Sequence, residues 1–134
     1  MSTRDVVFPP VPHALYQRHS YSPAVRANGL LFVSGQVGAR EDGTPEPDLL
    51  DEVRLAFANL DAILAATGCS FDDVVDTTYF MVDPDHTLET IWPVVQEYLG
   101  PGPHPALTAT GVTWLSGFRF EIKVVAKLPA GAGG

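Results

Sequence analysis

The chain predicts an α+β domain in the order β-β-α-β-α-β-β, one sheet with two helices on a single face. Three stretches lead there. Leu30-Leu31-Phe32-Val33 is an apolar run too short for a membrane span and suited to a strand buried on both faces. Between Asp48 and Ala66, Leu49, Val53, Ala56, Phe57, Leu60, Ile63 and Leu64 recur at three- and four-residue spacing, one apolar stripe on a helix. From Phe118 to Leu128, Phe118, Phe120, Ile122, Val124 and Ala126 alternate with Arg119, Glu121, Lys123 and Lys127, the period of a half-buried strand. Helices that follow strands and return across the same face give the two-layer arrangement.

Taken in order, Val6-Val7-Phe8 suits an edge strand closed by Pro9-Pro10. His13 to Ser22 reads as a polar, aromatic loop. Ala24 to Ala27 pairs with the apolar run through Asn28-Gly29, whose residues tolerate the positive φ of a two-residue hairpin turn. The second arm is expected to stop, or bulge, at Ser34-Gly35-Gln36. Asp48 and Asp51-Glu52 favour the start of the first long helix through the helix dipole, and Gly68 stops it. Ser70 and Asp73 can cap a short turn before a strand from Val74 to Val82. A second helix carries Leu88, Ile91, Trp92, Val95 and Leu99 on one face. Pro93 implies that it either starts near Trp92 or kinks there, since an internal proline costs about 3 kcal/mol. Strands Ala106–Val112 and Phe118–Leu128 complete a single domain over residues 1–128, with a flexible tail at 129–134.

Sixteen acidic and eight basic residues leave a net charge of −8. Such a field repels phosphate backbones and anionic lipid, so neither nucleic acid nor a membrane is an expected partner, and ribonuclease action is disfavoured. Cys69 is the only cysteine. It allows no intrachain disulfide and fits a reducing, cytoplasmic setting. His13, His19, His86 and His104 lack metal-ligand spacing, and no phosphate loop is present, so neither a metal nor a cofactor is expected. The sheet face opposite the helices carries enough apolar surface to predict self-association.

Few residues suggest chemistry. Glu121 stands in mid-strand, where glutamate is disfavoured, and is the candidate for holding a water or taking a proton. Ser34 and Gly35 bring a hydroxyl and bare backbone to the end of a rigid strand. Tyr21 can close a pocket from the loop. Ser34 has no histidine and acid at triad spacing.

Tyr21-Ser22-Pro23-Ala24-Val25, Leu31-Phe32-Val33-Ser34-Gly35-Gln36, Asn59-Leu60-Asp61-Ala62-Ile63-Leu64, Asp73-Val74-Val75-Asp76-Thr77-Thr78 and Phe120-Glu121-Ile122 occur in one order. Together they resemble the reactive intermediate (imine/enamine) deaminase family, the YjgF-like or Rid proteins, from about Tyr21 to Ala126. The resemblance implies a chorismate-mutase-like fold and a homotrimer with a small-molecule ligand in clefts between subunits. It also implies cofactor-free hydrolysis of imines and enamines to ketones and ammonia. Glu121 matches the glutamate that positions water, Ser34 the strand-end serine and Tyr21 the pocket tyrosine.

His104-Pro105-Ala106-Leu107-Thr108-Ala109 departs from that pattern. Deaminases of the family carry a carboxylate-gripping arginine where this chain has Leu107, and many carry a cysteine where it has Ala109. An arginine–carboxylate fork contributes roughly 1.5–3 kcal/mol. Its absence predicts at least about tenfold weaker binding of an amino-acid-derived imine at that point. Arg119, two residues from Glu121, is a candidate substitute, and His104 a candidate proton donor. The expected activity is a Rid-type hydrolase with a more apolar pocket; the alternative is a non-catalytic trimeric ligand-binding or interaction protein.

Overall fold

A computed structural model describes residues 3–130. Its elements are β1 (Asp5–Val7), α1 (Leu15–Arg18), β2 (Ala24–Ala27), β3 (Leu30–Val37), α2 (Leu49–Ala66), β4 (Val74–Val82), α3 (Pro84–Leu99), β5 (Ala106–Val112) and β6 (Phe120–Lys127). They build one mixed sheet in the order β1-β2-β3-β6-β4-β5. All neighbours are antiparallel except β4 and β5, which run parallel because α3 carries the chain back across the sheet.

The local signals explain most of this. Asn28 (φ 53°) and Gly29 (φ 76°) form the two-residue turn between Ala27 and Leu30. The Asp48 side chain accepts the backbone N–H of Asp51 and caps α2. Ser70 and Asp73 form a reciprocal capping box around a 3-10 turn, Phe71–Asp73. The α2 stripe is buried throughout, from Val53 to Leu64. It lies on Leu31, Val33, Phe120, Ile122 and Val124 of the two central strands, beside Ile91, Val94 and Val95 of α3. Phe57 links these layers, its ring 4.4 Å from that of Tyr98 and 5.8 Å from that of Phe120. The two long helices leave the other face of the sheet uncovered around Phe32, which lies opposite Val125 and is 43% exposed; among the described residues only the short α1 reaches that face, packing Leu15 near Val37.

Four expectations change. His13 to Ser22 is not wholly loop, because Leu15 and Tyr16 are buried and close one helical turn, α1, too short to show a period. β3 does not stop at Ser34-Gly35-Gln36; it bulges there and continues to Val37. α3 does not start near Trp92; it runs from Pro84 to Leu99 with Pro93 inside it. Pro93 lies on its exposed side, as does Glu89, so the carbonyl that loses its helical donor can bond water while Ile91, Val94 and Val95 anchor the inner face. The last strand begins at Phe120, not Phe118. The tail expected at 129–134 falls mostly on 131–134, outside the described residues. Among the described residues no helix is long and apolar enough to cross a membrane.

Candidate functional site

β3 and β6 pair in register as far as Val33 with Val124, and pairing resumes one residue out of step at Gln36 with Ile122 and Val37 with Glu121. Ser34 and Gly35 together therefore span the place of one partner residue, which is a bulge. The bulge sends Gln36 into the core at 1% exposure. There its Nε2 donates to the Ser34 carbonyl at 3.0 Å and its Oε1 accepts from the Tyr16 hydroxyl at 3.0 Å, satisfying the buried amide. The same bulge sets the Gly35 backbone against the Glu121 side chain. A Cβ at position 35 would lie 2.5 Å from Glu121 Cδ and 3.0 Å from its Cγ. Only glycine leaves that carboxylate its place.

Glu121 is half-buried, and its carboxylate forms no hydrogen bond or ion pair among the described residues. Burial pushes its carboxyl up from the usual glutamate value, and Lys123 pulls it partly back. Burial also raises the Tyr21 phenol, with a further rise from the Glu121 charge, so the two groups sense one another. Tyr21 is held edge-on to Tyr16, ring centroids 5.0 Å apart, and Tyr16 stacks on His13 at 4.2 Å. Burial pushes the Tyr16 phenol to about 12 and lowers His13, so both rings stay neutral at pH 7.

These groups open on a cavity of about 420 Å3. Tyr21, Gly35, Val37 and Glu121 line it from the loop and sheet, and Leu15 and Phe118 from a small apolar cluster below. A shaped pocket with one half-buried, unpartnered carboxylate can hold a small organic molecule and take a proton from a water.

Of the residues singled out in the sequence, the fold brings Glu121, Tyr21 and Gly35 together. Ser34 sits beside them, but its hydroxyl donates to the Ser22 carbonyl at 2.6 Å and does not line the cavity. It ties the Tyr21 loop to β3. Leu107 and Ala109 lie elsewhere. β5 is an edge strand, and Leu107 opposite Thr77 and Ala109 opposite Tyr79 face α3, not the side that carries Glu121. Leu107 and His104 line a groove with Trp92 and Gln96, and His104 Nε2 is bonded to the Gly100 carbonyl at 3.0 Å. Arg119 is not a pocket residue: its guanidinium pairs with Glu52 and donates to the Glu46 and Pro47 carbonyls. Those bonds also hold Arg119 outside β6, which explains the late start of the strand.

Sequence reading missed the far wall. Arg18 and His19 from the end of α1, the turn Gly43-Thr44-Pro45, and Trp114 to Ser116 all line the cavity. The one usable signal was Trp114, a large aromatic in a connection, which proves 72% exposed.

Such a site on such a sheet defines a YjgF/Rid-type protein. The family described as endoribonuclease L-PSP matches residues 11–128, and the chain belongs to this family. It is 57% identical over 129 residues to the RutC family protein YjgH of Escherichia coli, covering 96% of this chain and 98% of that protein. A solved structure of protein YjgH superposes with a TM-score of 0.91, again over 96% of this chain and 98% of that one. The mouse 2-iminobutanoate/2-iminopropanoate deaminase is 36% identical over 109 residues, 79% of each chain. RidA from an Antarctic Psychrobacter superposes with a TM-score of 0.83 at 25% identity, over 93% of this chain and all of that one.

Proposed function

We propose that the protein hydrolyses a small imine or enamine to a carbonyl compound and ammonia. The observation that carries this reading is the unpartnered Glu121 carboxylate, facing bare Gly35 backbone inside the cavity. A water beside Glu121 gives it a proton and adds through oxygen to the C=N carbon. The nitrogen takes that proton back from Glu121, giving the neutral carbinolamine (an enamine reacting as its imine tautomer). Glu121 then carries the hydroxyl proton to nitrogen as the C–N bond breaks and C=O forms, so that one water is consumed, one ammonia leaves and no oxidant or cofactor is needed. Tyr21 closes the pocket, and Ser34 positions that loop. The similarity to the mouse deaminase supports the reaction class.

The working unit in this reading is a homotrimer. β5 presents an unpaired edge with six of seven residues exposed, and Phe32 is 43% exposed on the sheet face away from α2 and α3. A neighbouring copy that covers those surfaces would set its Leu107 and Ala109 across from Glu121, making the cleft more apolar than an arginine at that position would. The test is ammonia release from freshly generated 2-aminoacrylate and from uncharged imines, with Glu121→Ala alongside. Loss in the variant supports the mechanism; equal rates remove it. Leu107 in place of an arginine favours one other reading, a trimer that binds a ligand without turning it over. Ligand-dependent melting with no ammonia from any imine would select that reading.

A further inference from the structure

We infer that Arg18 is the anion-recognition residue of this cavity and selects ligands that carry a carboxylate. The inference deepens the proposed function, since it rests on the reading of this cavity as the reaction site. Arg18 ends α1 and lines the same cavity as Glu121. Its guanidinium donates from Nη2 to the Asp42 carbonyl at 3.1 Å and forms no ion pair within 4 Å, although its charge helps hold the exposed Asp42 carboxyl below the usual aspartate value.

The guanidinium is also given room and direction. Gly43, at φ +90°, packs where a Cβ would lie 3.0 Å from Arg18 Nη1 and 3.1 Å from Leu15 Cδ2. Glycine at that turn therefore serves both the backbone and the arginine. Held by Asp42 on one side, the guanidinium keeps further N–H donors for a bidentate carboxylate. His19, next in the chain, lines the cavity as well, and its imidazole makes no hydrogen bond among the described residues.

Arg18 and Glu121 stand on one cavity without pairing, and Leu15, Val37 and Phe118 lie among its walls. A small acid with an apolar middle fits that layout, its carboxylate toward Arg18 and its reacting carbon toward Glu121. The anion is thus received from the α1 side, opposite in origin to the β5 position where Leu107 stands.

The experiment measures binding, so it does not depend on turnover. Isothermal titration compares 2-oxobutanoate with its neutral amide on the wild-type protein, Arg18→Gln and Arg18→Lys, with thermal melts to check folding. The wild type is expected to prefer the acid. Arg18→Gln should bind the acid about tenfold more weakly and lose the preference, and Arg18→Lys should recover part of it. A wild type without preference for the acid, or Arg18→Gln binding it as tightly as the wild type, overturns the inference. Failure of the hydrolase reading would instead show as ammonia release insensitive to Glu121→Ala.

Discussion

Arg119 Nε donates to Glu52 Oε1 at 2.8 Å, and Glu52 Oε2 accepts the backbone N–H of Arg119 at 2.6 Å and of Phe120 at 3.2 Å. The Glu52 side chain has no exposure at all, and that of Arg119 has 36%. One carboxylate on α2 thus holds the start of β6, two residues before Glu121, and takes the arginine that sequence would offer to a substrate. A buried charge is tolerated here because three donors surround it.

Removing Glu52 should therefore cost more than removing Arg119. Glu52→Ala leaves two backbone N–H groups without their acceptor and is expected to destabilise by about 3–5 kcal/mol. Arg119→Ala keeps those two bonds and should lose roughly 1.5–3 kcal/mol. Urea unfolding measures both, and the double variant should lose less than the sum because the two residues share one network.

Gly38 sets the distance between β3 and α2. A Cβ there would fall 2.8 Å from the Glu52 carbonyl carbon and 2.9 Å from its Cα. Backbone cannot swing aside as a side chain can, so Gly38→Ala is expected to destabilise by about 1–3 kcal/mol in the same assay.

Gly35→Ala tests the site without testing the core. The added methyl collides with the flexible end of Glu121, which can rotate away at little expense to the fold. Melting should stay near wild type while kcat for imine hydrolysis falls by about 100-fold, as expected for a displaced general base. The pair Gly35→Ala with Glu121→Gln should be no slower than Glu121→Gln alone.

The pH dependence follows from the raised Glu121 carboxyl. The base must be ionised, so kcat/KM should rise with pH through a value above the ordinary 4.5 and then level, and Glu121→Gln should lose that limb. Stability runs the other way. A carboxyl raised by the fold destabilises the native state when ionised, above its folded pKa, and that penalty fades as pH falls to the unfolded value. Glu121→Gln should therefore melt higher than wild type at pH 7, and the difference should close toward pH 4.5.

Leu107→Arg restores a cation on an exposed edge strand. Monomer packing there is slight, so stability should change by less than about 0.5 kcal/mol. If copies assemble so that β5 of one meets the cavity of the next, KM for an imino acid should drop about tenfold while that for a neutral imine stays put. An unchanged ratio would place β5 away from the reacting group.

Local chemistry made much of this protein readable in advance. The Asn28-Gly29 turn, the Asp48 cap, the Ser70–Asp73 box and the α2 stripe each act over a few neighbouring residues, so their outcome is written in short words of sequence. Glu121 was conspicuous for the same reason, being a charge where a strand disfavours one. Other features depend on partners far along the chain. Glu52 looked like a helix-start acid and Arg119 like a free cation, until α2 crossed β6 and buried one against the other across 67 residues. Arg18, one turn of helix from nothing periodic, reached the cavity only because Tyr16 and Gln36 pinned α1 against the bulge of β3. Residue types and spacing determine where helices, strands and turns begin; which side chains face one another across a sheet is decided only when the layers pack, because that depends on register and on which polar groups must be satisfied once water is gone.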